Sequence, residues 1–333
     1  MKLSLSLRMG KTLRQLIHGS MGLLLISLLV SCTQIATKPP EITRVNGVEI
    51  LDGPGTAAYL TTLYNRNFPN CNRIDSQPAF LCSGVTHRLT VKDPANIYKV
   101  WDPSPISISN RGVSFSYMRA DTNFGGNAFG WDYQNGYIIY PFLEAPAGKA
   151  QLFYMCSYPM DGWTQSRNQV CGPHANYPYH SNLCQYHNVT LAEQWVYVWT
   201  YPNPGAELHQ QQCGFDVSDE RNALAAPAFQ ESLRARTLLA AASPNYAAQV
   251  FNEHNEIIIK TWTPGQPNTL PILAFFYIAG HPQGLADAQY NQRDFYNSTN
   301  PRIVIPIIRL TPATSLYGKA SFSFIAAEQA LTH

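Results

Sequence analysis

A leader sequence fixes the compartment in which this chain must fold. Lys2, Arg8, Lys11 and Arg14 form a basic n-region, Gly22 to Val30 is an apolar run too short to span a bilayer, and Leu29-Val30-Ser31-Cys32 closes it with a small residue before a cysteine. The pattern is that of a bacterial lipoprotein precursor. It predicts residues 1–31 as a signal peptide, Cys32 as the acylated first residue of the mature chain, and residues 32–44 as a polar tether. Thr33 stands where Asp would favour inner-membrane retention, so an outer-membrane lipoprotein, facing the periplasm or the surface, is expected.

Export sets the cysteine count. Lipidation of Cys32 leaves Cys71, Cys82, Cys156, Cys171, Cys184 and Cys213, an even set in an oxidising compartment. The short loops favour Cys71 with Cys82 and Cys171 with Cys184, leaving Cys156 with Cys213. Zinc is the rival reading, because Cys171, His174, His180, Cys184 and His187 crowd one stretch. Their spacing lacks the tight C-x2-C or H-x3-H pairs of structural zinc, so no metal is expected.

The leader also carries the apparent positive charge. Without its four basic residues, 23 basic against 21 acidic becomes 19 against 21, a formal −2. Nucleic acid needs a concentrated basic face to release counterions from phosphate. A small molecule or a protein is the expected partner, and nucleic acid is not.

The rest of the chain predicts a single domain over residues 45–333. Helical spacing occurs at Gly55 to Asn67, after Thr190, from Ala223 to Ala242 and from Leu285 to Tyr296. Short β-branched and aromatic runs predict strands at Gly112–Met118, Gly136–Tyr140, Gln151–Ser157, Glu256–Trp262, Ile272–Ile278, Ile303–Leu310 and Ala320–Ile325. Strands mixed irregularly with a few helices predict an α+β fold, disulfide-braced, with short mixed or antiparallel strands.

Familiar catalytic signatures are missing: G-x-S-x-G, H-E-x-x-H, G-x-x-x-x-G-K and G-x-G-x-x-G do not occur. Local clusters remain. Ser114 to Asp121 is an alternating strand ending in Arg119-Ala120-Asp121, where a guanidinium can fork onto a carboxylate or a pyrophosphate. Asn255-Glu256 opens the apolar run Ile257–Ile259, placing a carboxylate at a sheet rim. Asp161 to Arg167 puts an acid, hydroxyls and a base in one loop. Gln289, Gln292, Arg293 and Asp294 share a helix and read as a solvated face.

Phe80 to Val85, Trp101 to Pro105, Ser114 to Asp121, Gln212 to Val217, Leu270-Pro271-Ile272 and Ala274 to Tyr277 together resemble the halovibrin-type exported proteins of Gram-negative bacteria. The resemblance spans nearly the whole mature chain and implies NAD chemistry outside the cytoplasm, as NAD glycohydrolase or ADP-ribosyltransferase. Tyr117-Met118-Arg119-Ala120-Asp121 also resembles the Tyr-Arg-Ala-Asp strand of cholera-toxin-like ADP-ribosyltransferases, with Met118 as an extra residue. That second resemblance implies Arg119 on NAD, Thr164 or Ser166 as support, and Glu256 at the nicotinamide ribose.

Cleaving the nicotinamide–ribose bond creates an oxocarbenium-like centre that a fixed carboxylate stabilises. The expected catalytic residues are therefore Glu256, Arg119 and Asp121, with Tyr117, Thr164, Ser166 and Arg167 around the substrate. NAD is the substrate and no cofactor is required. The rival reading is a non-catalytic envelope lipoprotein that displays Tyr-rich loops to a host or neighbouring protein.

Overall fold

The computed structural model describes residues 38–67, 71, 81–90, 99–121, 134–147, 149, 255–313 and 318–331, with backbone alone for 154–158 and 215–216. The leader, Cys32, the tether up to residue 37, the Cys171–His187 stretch, and the helices expected after Thr190 and over Ala223–Ala242 lie outside the described residues.

The domain opens with a hairpin, β1 (Ile42–Val45) against β2 (Val48–Leu51). Its turn is Asn46-Gly47, both at positive φ, the sequence that a two-residue hairpin with this twist prefers. Strand β1 thus lies mostly inside the stretch assigned to the tether, because the hairpin turn recruits Ile42 to Arg44. Helix α1 (Gly53–Asn65) follows, with Pro54 in its first turn. It buries Tyr59, Leu60, Leu63 and Tyr64.

The other strands are β3 (Val85–Thr90), β4 (Gly112–Met118), β5 (Asn135–Ile139), β6 (Tyr154–Tyr158), β7 (Phe215–Asp216), β8 (Glu256–Lys260), β9 (Ile272–Ile278), β10 (Ile303–Val304), β11 (Ile307–Thr311) and β12 (Ser321–Phe324). Two further helices occur among the described residues, the short α2 (Pro105–Ser109) and α3 (Pro282–Ser298). Strands β1, β2 and β10 form a small sheet, and the large sheet runs β12-β11-β9-β5-β3-β4-β8-β6-β7. Its pairs are antiparallel except β9 with β11, which a right-sized crossover through α3 connects. The mixed sheet with few helices agrees with the α+β expectation.

Pleat alternation assigns each side chain to a face. One face carries Phe322, Ile278, Phe276 and His87, and α1 covers part of it, with Tyr64 packed edge-on against Phe322 at 5.8 Å. The other carries Phe275, Tyr137 and Phe115, and α3 packs there through Phe295, 5.8 Å from Phe275. The continuous apolar run in β9 reflects burial on both faces.

Two expectations change. The run Ile303–Leu310 divides into β10 and β11 because Pro306 has no N–H to give a ladder, while its carbonyl accepts from Phe275. The Gln-Arg-Asp face of α3 is not solvated as a unit. Gln292 is buried and Asp294 accepts from the Trp101 indole at 3.2 Å, so this face holds neighbouring segments in place.

Candidate active site at the end of β4

The end of β4 is finished by a side chain. Ladder pairs between β4 and β8 run to Phe115 with Ile257, so Asn255 lies where a partner for Tyr117 is needed. Its amide supplies that partner: Oδ1 accepts from the Tyr117 N–H at 2.7 Å and Nδ2 donates to the Tyr117 carbonyl at 2.6 Å. Both orphan backbone groups are thereby satisfied inside the protein. The step also fixes Glu256, the first residue of β8.

Beyond Met118 the chain turns under the end of α1, where the Ala120 N–H donates to the Tyr64 carbonyl at 2.9 Å. Arg119 is 2% exposed. Its Nε and Nη2 donate to the two oxygens of Asp121 at 2.6 and 2.7 Å, and its Nη1 meets Ser83 Oγ at 3.3 Å. Side-on pairing of this kind offsets much of the cost of burying a guanidinium. Of the two partners the sequence offers this guanidinium, a carboxylate or a pyrophosphate, the carboxylate of Asp121 is the one seen on its Nε–Nη2 edge. That edge is occupied by the chain's own carboxylate rather than open to a pyrophosphate.

Ser83 belongs to a constrained turn. Gly84 sits at φ +71°, and a Cβ there would run into the Tyr117 ring, so glycine is required on both counts. Cys82 is bonded to Cys71, as the short loop predicts. Arg66 donates to the Cys82 carbonyl at 2.8 Å and pairs with Glu144, which also accepts from Tyr59. Burial, then the neighbouring Glu144, pushes the Tyr59 hydroxyl well above its ordinary value. Burial raises the Tyr64 hydroxyl too, opposed by its hydrogen bond with the Ala320 N–H and helped by the Asp121 carboxylate.

Glu256 is 2% exposed. By pleat it shares a face with Ile258 and hence with Ser114 and Ser116, and Ser116 pairs with His87 on β3. His87, Ser116 and Glu256 thus form a buried polar row across β3, β4 and β8, on the face that also carries α1. Directly opposed side chains in such a ladder stand about 5 Å apart at Cβ. The strand order puts the serine between the imidazole and the carboxylate, so the row cannot work as a serine–histidine–acid relay, in which the histidine must stand between. A buried carboxylate requires polar compensation, so the row is held by more than apolar packing.

Tyr117 falls on the opposite face from Glu256 and is buried beneath Gly84. The structure therefore assigns it to the core rather than to stacking on a substrate. Thr164, Ser166, Arg167, Cys171, Cys184 and Cys213 lie outside the described residues, as does the side chain of Cys156 in β6. His87 and Ser83 escaped the sequence reading. The alternation Val85-Thr86-His87-Arg88-Leu89-Thr90 could have flagged a strand, but only the register reveals the company His87 keeps.

A separate groove of about 480 Å³ opens beside the start of α1, lined by Ile50, Leu51, Val304, Phe324 and Gln329 among others. None of the expected site residues lines it. Among the described residues no group of three or more His, Cys, Asp or Glu is placed to hold a metal, and no helix is long and apolar enough to cross a membrane. Compared with known proteins, the chain matches no family model, and no curated protein matches it significantly.

Proposed function

We propose that the protein is an exported, Cys32-anchored NAD glycohydrolase, which adds water across the nicotinamide–ribose bond to release nicotinamide, ADP-ribose and a proton. The observation that carries this reading is the buried Glu256 at the start of β8, on the same sheet face as Ser116 and His87. Glu256 is the group that stabilises the developing oxocarbenium charge and holds a ribose hydroxyl. Arg119 and Asp121 fix the shape of the rim from inside it. Thr164, Ser166 and Arg167 complete the substrate side in this scheme, within an ADP-ribosyltransferase-like arrangement of strands. NAD is consumed as substrate, and the scheme needs no cofactor.

Incubating the purified full-length protein with NAD and resolving nicotinamide by chromatography tests the reading. Release above the uncatalysed background is expected, and its absence under oxidising conditions removes the proposal. Transfer of labelled ADP-ribose to a protein, in place of free ADP-ribose, converts the reading to an ADP-ribosyltransferase. The apolar groove beside α1 supports the second reading, a non-catalytic envelope lipoprotein that binds a host or envelope protein, and that reading gains if no NAD is cleaved.

A further inference from the structure

The Cys71–Cys82 bond ends one residue before the hydroxyl that receives Arg119. Three more contacts leave the same short turn. The Cys82 carbonyl accepts from Arg66 at 2.8 Å, the Gly84 N–H donates to the Leu63 carbonyl at 2.7 Å, and Gly84 lies against the Tyr117 ring. Residues 82–84 therefore touch the end of α1, the end of β4 and the Arg119–Asp121 pair at once. They precede β3 and have no ladder of their own, so the disulfide is the covalent element that fixes them. Cys82 is buried and Cys71 is half-buried, which leaves the bond approachable from the Cys71 side.

We propose that this disulfide is a redox latch on the candidate site, and that Ser83 is the positioning residue through which it acts on Arg119. An external dithiol supplies two electrons and two protons to the S–S bond. Cys71 and Cys82 become thiols while the dithiol becomes its own disulfide. Opening the loop returns conformational freedom to residues 82–84. Ser83 then no longer holds Nη1 of Arg119, and the Arg119–Asp121 pair loses that tether to the turn. The other half of the large sheet, β9 with β11 and β12, is tied by its own ladders and does not depend on the turn.

The geometry of the latch is independent of the proposed function; only its activity readout rests on that reading. Hydrogen exchange on the full-length Cys71→Ser/Cys82→Ser variant, kept oxidising so that the other cysteines are untouched, tests it against the wild type. The Gly84, Tyr117 and Ala120 amides are expected to lose protection by about tenfold or more, while β9 and β11 keep theirs. Ser83→Ala is expected to lower nicotinamide release by about tenfold, with recovery in Ser83→Thr, and adding Cys71→Ser/Cys82→Ser to Ser83→Ala is expected to lower it no further. Unchanged protection at those three amides overturns the latch, and so does a loss spread equally over β9 and β11. A further fall when Cys71→Ser/Cys82→Ser is added to Ser83→Ala removes Ser83 from the device. If neither redox state releases nicotinamide, the functional reading fails and the exchange experiment still decides the latch.

Discussion

Two side-chain amides complete strands of the large sheet, and they do so in different surroundings. At β11, Gln329 Oε1 accepts from the Ile307 N–H at 2.8 Å and Nε2 donates to the Ile307 carbonyl at 2.9 Å. At β4, Asn255 does the same for Tyr117 at 2.7 and 2.6 Å. Gln329 is backed by Gln292, which donates to it at 3.2 Å, donates to the Ile305 carbonyl at 2.8 Å and accepts from Ala330 at 2.8 Å. Most of that clasp is neutral and its groups are matched locally. Asn255 instead precedes the buried Glu256 and holds Tyr117, which packs against Gly84 and lies two residues before the buried Arg119. The clasp also has ionisable neighbours, Arg309 paired with Glu328, but that pair is partly exposed, so what marks the β4 end as a site is that its Arg119 and Glu256 are buried, which closing a sheet does not demand.

On that contrast, cutting the clasp harms stability alone, whereas cutting the β4 cap harms stability and activity together. Gln329→Ala removes bonds on Ile307 and on the Ile325 carbonyl, and a loss of about 3 kcal/mol in chemical denaturation is expected, with nicotinamide release per folded molecule unchanged. Asn255→Ala orphans two buried backbone groups and is expected to cost about 2 kcal/mol, with a fall of roughly tenfold in kcat because Glu256 is the next residue. Equal activity in the two folded variants would erase the distinction between the regions.

A smaller effect of opposite sign is expected on α3. The buried Asn291 amide meets no hydrogen-bond partner among the described residues, so Asn291→Leu should stabilise the fold by about 1 kcal/mol in the same denaturation series. Destabilisation there would show that the amide is satisfied by something the protein binds.

The smallest effect at neutral pH is an alkaline one. Burial raises the hydroxyls of Tyr59, Tyr64, Tyr137 and Tyr140 above the ordinary tyrosine value. The folded state therefore keeps protons that the unfolded state releases above about pH 10. Stability from this source is fully present below that pH and is lost as pH rises toward the raised folded values. Phenolate absorbance from these residues should appear together with unfolding. A separate titration step preceding unfolding would contradict their burial.

Much of the local structure was legible in the sequence. Strands β4 and β9 begin and end where their apolar and aromatic runs do, because both faces are buried and the pattern admits little else. Helix α3 extends a few residues past its predicted ends, since Pro282 can occupy a first turn. The Asn46-Gly47 turn was legible, but Ile42 to Arg44 of the strand before it fall in the stretch assigned to the tether, because a four-residue strand with exposed side chains carries a weak pattern. The site was legible only in pieces. Arg119, Asp121 and Glu256 stand out as charges at strand ends, whereas the row joining Glu256 to Ser116 and His87 depends on the register of strands far apart in the chain. Tyr117 was misplaced for the same reason, since one step along a strand exchanges the two faces.

The most direct measurement is nicotinamide release from NAD by the full-length wild type and the Glu256→Gln variant, side by side, with folding checked by their melting temperatures. The account predicts release by the wild type and a fall on the order of 100-fold or more in a variant that melts within a few degrees of it. Equal release by the two folded proteins would contradict the role given to Glu256, and no release by either would contradict the assignment of the β4 rim as an NAD-cleaving site.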